Sequence, residues 1–169
     1  EASITLPPQA VVGVRVGATE RLSVSADYPW TGWTTFDRLV ARFEHGGELA
    51  LALEYVDTHT FRVGGDFAAA PGLDVRAGFL YNTAASPDQS VTPVLPEAER
   101  QLYTVGLGYD FGAVRADAFY NWVNQADRRG RVRTAVLLPV PEEDLNVGVY
   151  SATGHLFGVT VTWLPGGGR

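Results

Sequence analysis

Cysteine, methionine and lysine are all missing from this 169-residue chain, so every one of its 13 basic residues is arginine. The lack of cysteine excludes disulfides and fits a periplasmic or surface protein as well as a cytosolic one. Positive charge is in short supply: 19 acidic residues leave a net charge of −6, which argues against nucleic acid as a partner. The start has no basic segment followed by an apolar one, and Glu1-Ala2-Ser3 reads as the interior of a sequence, so a mature or truncated chain is expected. A membrane helix needs about 20 mostly apolar residues. The longest span free of charged side chains, 145–168, is broken by glycines, His155 and several hydroxyls, which excludes that mode of crossing. The length suits one domain or part of one.

What is present is a period of two, the mark of a strand with one apolar and one polar face. Leu22-Ser23-Val24-Ser25-Ala26-Asp27-Tyr28 alternates without a break, and this strand is expected to continue through Trp30 towards Phe43. Residues 9–18, 58–69, 74–83, 101–111, 114–124 and 155–163 behave alike, which makes seven strands. Their lengths match the roughly 9–11 residues with which a tilted strand crosses a bilayer, whereas soluble strands usually run to about five or six. The connections at 19–21, 70–73 and 112–113 are short, and those at 46–57, 84–100 and 126–154 are long. Short and long loops thus lie at opposite ends, as in bacterial outer-membrane barrels, whose short turns face the periplasm.

The charges obey the same alternation. Arg15, Asp27, Arg62, Asp66, Arg76, Asp110, Arg115 and Asp117 all fall on one parity of their strands. An Arg on the lipid face near the bilayer midplane would cost about 2–4 kcal/mol, so a membrane barrel must turn this set inwards, around a polar lumen. Across the three tight turns Arg15 is expected to meet Asp27, Asp66 to meet Arg76, and Asp110 to meet Arg115, as lumenal ion pairs on neighbouring strands. Leu80 and Phe119 share the inward parity; they either contact a hydrophobic ligand, which needs apolar walls with few polar anchors, or fill the interior. The opposite parity, from Val12, Val14 and Val16 through Val105 and Leu107 to Val159 and Val161, would face lipid. Tyr28, Trp30, Tyr109, Phe111, Tyr120, Trp122 and Trp163 would supply aromatic girdles. Periodicity alone also fits a soluble sandwich or lipocalin-like barrel with the apolar face inside; strand length, loop asymmetry and terminal aromatics favour the membrane.

Catalytic signatures are sparse. His45, His59 and His155 lack the spacing of a zinc site, and Asp57-Thr58-His59 has no Gly-Xaa-Ser-Xaa-Gly to accompany it, so strand-entry hydrogen bonding is the expected role of His59. Gly106-Leu107-Gly108 lies within a strand instead of opening a helix, so close backbone packing explains it better than phosphate binding. Arg128, Arg129, Arg131 and Arg133 sit in a long loop. The ordinary reading is a solvated charge run; the functional one is bidentate contact with lipopolysaccharide phosphates. No metal or cofactor is implied.

The run Leu6-Pro-Pro-Gln-Ala-Val-Val-Gly-Val14, then Leu22 to Trp33 with Phe36-Asp37, then Asp57-Thr-His-Thr-Phe-Arg-Val-Gly64, resembles the second half of the long-chain fatty-acid and aromatic-hydrocarbon transporters. Val75-Arg-Ala-Gly-Phe-Leu-Tyr81, Pro93-Val-Leu-Pro-Glu-Ala-Glu-Arg100 and Val105-Gly-Leu-Gly-Tyr109 continue in that family's order and spacing. The resemblance implies an all-β, antiparallel transmembrane barrel of 14 strands, of which residues 1–163 would be the C-terminal half and 164–169 a short flexible tail. It implies passive uptake of hydrophobic small molecules or fatty acids across the outer membrane of a Gram-negative bacterium, amid outer-membrane lipid and lipopolysaccharide, with no covalent chemistry. The family's N-terminal hatch and first strands, including its kinked third strand, have no counterpart here, so a missing N-terminal half of the same barrel is an expected partner. The closing aromatic, Trp163, is followed by Leu-Pro-Gly-Gly-Gly-Arg, a departure from the family's ending. A structural or adhesive small barrel without transport activity is the alternative.

Overall fold

The computed structural model describes residues 6–35, 38–42, 48–52, 54–88, 91, 97–130 and 148–163. Seven strands form one sheet in which each strand pairs antiparallel with its neighbour: β1 (Gln9–Gly17), β2 (Leu22–Thr31), β5 (Thr58–Ala70), β6 (Leu73–Asn82), β7 (Arg100–Asp110), β8 (Val114–Gly130) and β9 (Gly148–Trp163). Two short strands, β3 (Arg38–Arg42) and β4 (Glu48–Ala52), pair with each other between β2 and β5. The sheet is open, with β1 and β9 at its edges.

Tight turns join β1 to β2, β5 to β6 and β7 to β8, all at one end. Gly72 (φ 77°) and Gly112 (φ 92°) take up the left-handed conformation two of these turns need. In the first, Thr19 Oγ1 accepts from the Arg21 and Leu22 amides, while Ala18 N donates to Leu22 O at 2.8 Å.

Three expectations about strand limits change. The Leu22 strand stops at Thr31 and does not run on to Phe43, which lies outside the described residues. Gly32 N is drawn to Pro8 O at 2.9 Å, and a 3-10 turn, Trp33–Thr35, follows. Asp57 Oδ1 holds this turn by accepting from Thr34 N at 3.0 Å and Thr34 Oγ1 at 2.8 Å. The connection at 46–57 is not a plain loop, because it contains β4. The last two strands also outrun their expected lengths, reaching 17 and 16 residues, with an irregularity between Gln125 and Arg128.

The register sorts side chains as the alternation requires. Val105 pairs with Ala77 and Tyr120, and Val159 with Ala118, all on the apolar face. That face is open: Val105 is 55% exposed, Leu107 54% and Val159 73%. On the sheet Pro29 of β2 is buried on the charged face, and Ala85, Val91 and Ala98 are buried in the β6–β7 connection at the long-loop end. Glu97 Oε2 accepts from the Ala85 and Ser86 amides there, and Val56 N donates to Ala85 O. An apolar sheet face without a protein core behind it finds its apolar medium outside the protein.

Candidate functional site

The opposite face carries the charges, and six of them form one lattice. Arg76 lies 3.3 Å from Asp66, 3.7 Å from Asp74 and 2.9 Å from Asp117. Arg115 reaches Asp74 at 2.7 Å and Asp117 at 3.0 Å, and Arg15 reaches Asp66 at 3.0 Å. Three guanidiniums thus meet three carboxylates, and the lattice is neutral.

The expected pairs are rearranged, with a physical reason for each change. Asp66 does meet Arg76. Arg15 does not pair with Asp27: it stands opposite Ser25, and the short side chains of Ser23 and Ser25 let it cross β2 to Asp66. Asp27 faces Gly13 and Arg62 instead, with Arg62 at 3.6 Å. Asp110 does not pair with Arg115, because Gly112 N donates to its carboxylate at 2.7 Å; Arg115 turns to Asp74 and Asp117. The lattice can bridge β6 and β8 because glycine occupies the strand between them. A Cβ on Gly108 would lie 2.3 Å from Arg115 Nη2 and 2.4 Å from Asp117 Oδ1.

Farther from the tight turns, the same face becomes apolar. Leu80 stands opposite Leu102, and Leu102 opposite Val123; Phe119 lies over Gly158, where an added Cβ would be 2.5 Å from its ring. Leu80, Leu102 and Phe119 wall a cavity of about 430 Å³ whose floor includes Gly64, Gly78 and Gly106 and whose other side is the Asp66–Arg76–Asp117 part of the lattice. Leu80 and Phe119 were legible from parity. Leu102 was missed, although the register of the β6–β7 hairpin would have found it.

A second cavity, of about 380 Å³, lies nearer the long loops, with Trp33, Tyr55, Thr60, Asn82 and Glu97 in its lining. Trp33 and Tyr55 meet edge to face, centroids 6.1 Å apart. Burial, and then the nearby Glu97 charge, raise the Tyr55 phenol above its ordinary pKa. Arg62 lines both cavities.

Arg128 does not fit the expected role of reaching outwards to lipopolysaccharide. Its side chain is only 13% exposed and pairs with Asp88 at 3.1 Å, and it donates to Ser86 O, fastening the β6–β7 connection to β8. Arg129 is exposed, and Arg131 and Arg133 lie outside the described residues.

An antiparallel sheet of long strands with an exposed apolar face and a charge-lined reverse defines a β-barrel membrane protein. Residues 1–163 match the family described as outer membrane protein transport protein (OMPP1/FadL/TodX), and the chain belongs to that family. It is 29% identical over 112 residues to outer membrane protein P1 of Haemophilus influenzae, covering 66% of this chain and 24% of that protein. It is 29% identical over 94 residues to a 47 kDa outer membrane protein of Pasteurella multocida, covering 55% and 22%. In fold it is similar to a Pseudomonas aeruginosa FadL homologue, with TM-score 0.72, 22% identity and coverage of 92% of this chain and 34% of that one. It is likewise similar to the Ralstonia pickettii toluene transporter TbuX, with TM-score 0.59, 19% identity and coverage of 94% and 33%. The chain therefore spans about a quarter of the length of these curated relatives and a third of these solved chains. Its place is the outer membrane.

Proposed function

We propose that this chain forms the C-terminal wall of a 14-stranded barrel that passively admits hydrophobic compounds, long-chain fatty acids or aromatic hydrocarbons, across the outer membrane. The charged face is then lumenal, the long loops extracellular and the short turns periplasmic, and the remaining strands and hatch come from elsewhere in the protein. The observation that carries this reading is the apolar wall of Leu80, Leu102 and Phe119 on a face that is otherwise polar, bordering a cavity of about 430 Å³. A water-filled channel has no use for such a wall, whereas a hydrophobic ligand needs one. The neutral lattice beneath it presents no spare charge to attract ions. Outside, the exposed Arg129 faces lipopolysaccharide.

The test is uptake of labelled oleate and of toluene by a strain lacking its own transporter and supplied with the full-length protein. The expected result is uptake of at least one compound, and a several-fold loss with Leu80→Asp. Uptake of neither by the unaltered protein would end the transport reading; uptake indifferent to Leu80→Asp would move the path away from this wall.

A further inference from the structure

One constellation on the lipid-facing side occurs twice. On β2, Tyr28 and Trp30 stand two residues apart, and Trp30 pairs with His59 of β5. On β8, Tyr120 and Trp122 stand two residues apart, and Trp122 pairs with His155 of β9. In each, the tyrosine hydroxyl is hydrogen-bonded to the histidine Nδ1, at 2.5 Å for Tyr28–His59 and 2.7 Å for Tyr120–His155. The rings stack in each, with centroids 5.9 Å and 6.0 Å apart and interplanar angles of 19° and 30°. A phenylalanine follows two residues after each histidine, Phe61 and Phe157.

The two copies sit at one height. Tyr28 and Trp30 are six and eight residues beyond Leu22, the first residue of β2, and Tyr120 and Trp122 are six and eight beyond Val114, the first of β8. Eight residues rise about 26 Å along a strand, and a tilt near 40° reduces this to roughly 20 Å, close to the height of the apolar band of such barrels. Below, on the same face, lie valines, alanines and leucines. The clusters therefore stand where hydrocarbon gives way to head groups.

An imidazole at that boundary must satisfy both of its nitrogens. The phenol occupies Nδ1. If the phenol donates, Nδ1 is the acceptor and the proton of the neutral ring resides on Nε2, which is thereby a fixed donor on the lipid-facing surface. Asp57 adds a carboxylate on the His59 side.

We propose that these two Tyr–His pairs are head-group sites, in which each Nε2–H donates to a phosphate oxygen of the glycolipid that fills the outer leaflet. The proposal rests on the outer-membrane setting and on long loops facing outwards, and not on what the barrel transports. Two donors on strands far apart in the sheet would hold the barrel at a set depth, a role that apolar girdle residues fill with less precision.

The experiment is native mass spectrometry of the full-length protein released from nanodiscs containing phosphorylated lipid A, dephosphorylated lipid A or phosphatidylglycerol. Phosphorylated lipid A should be retained best. Retention should fall roughly tenfold for each imidazole removed, since a hydrogen bond to a charged group typically contributes at least that factor. His59→Phe and His155→Phe keep the stacked ring and remove the donor; His59→Gln and His155→Gln restore an amide donor and should recover part of the retention. Equal retention by the unaltered protein and the doubly Phe-substituted one, with heat-modifiable mobility unchanged, would overturn the proposal. So would equal retention of dephosphorylated lipid A or of phosphatidylglycerol.

Discussion

Replacing Val105 by arginine asks directly what medium touches the apolar face. Val105 lies near the middle of β7, a central strand, and its side chain is 55% exposed between Ala77 and Tyr120. Were that exposure to water, an arginine would change stability by no more than about 0.5 kcal/mol, as surface substitutions away from special features do. If the medium is hydrocarbon, the position is near the midplane, too deep for the guanidinium to reach either head-group layer cheaply, and the cost is about 2–4 kcal/mol. That corresponds to a shift of roughly 30- to 700-fold in the folding equilibrium, at tenfold per 1.4 kcal/mol.

The assay is reversible guanidinium unfolding of the full-length protein from phospholipid vesicles, with Thr104→Arg as the companion. Thr104 is the neighbour of Val105 in sequence but lies on the opposite face, where it lines the larger cavity, so its change should be much the smaller. A Val105→Arg cost below about 0.5 kcal/mol, or one matched by Thr104→Arg, would refute the assignment of faces and the inward placement of the charge lattice with it.

Two further outcomes follow from local geometry. Gly108→Ala would set a methyl group against Arg115 Nη2 and Asp117 Oδ1; displacing the bridge should destabilise the barrel by about 1–3 kcal/mol, the usual range for overpacking, read as a lower guanidinium midpoint. The Asp57 carboxyl, in the loop before β5, is held below its ordinary pKa of 3.8, first by the Thr34 amide and then by the Thr34 hydroxyl. A depressed carboxyl stabilises the structure above its unfolded pKa and loses that contribution as pH falls through the folded value, so hydrogen exchange at the Thr34 amide should accelerate only below pH 3.8 and should be fast at all pH values in Asp57→Ala.

All seven sheet strands were legible from the period of two, because each must present one face to apolar surroundings and one to polar ones. Where that demand ends, legibility ends. β8 beyond Asn124 and β9 before His155 continue as strand, but Gln125, Asp127 and Arg128 on one and Ser151 and Thr153 on the other show no apolar parity, as expected of a ribbon wet on both faces. β2 read too long for the converse reason: its stop is made by the Gly32–Pro8 hydrogen bond and by Asp57, distant in sequence. The ion pairs were half legible. Counting back from a turn finds partners on adjacent strands, as with Asp66 and Arg76, but arginine is long enough to pass over Ser23 or Gly108 and reach the strand beyond.

Each face has its surroundings: lipid for the valine-rich side, and a neutral lattice with an apolar wall for the other. The edges do not. β1 and β9 each present a row of backbone donors and acceptors along one side, and Val12 at 68% and Val161 at 69% exposed place those rows beside lipid-facing apolar side chains. Hydrocarbon offers such groups no hydrogen bonds, and each one left unmet costs several kcal/mol. In the membrane these two edges need partners, and because seven alternating strands leave β1 and β9 running in the same direction, an odd number of added strands, such as the seven that would complete a 14-stranded barrel, satisfies both edges with antiparallel pairing throughout.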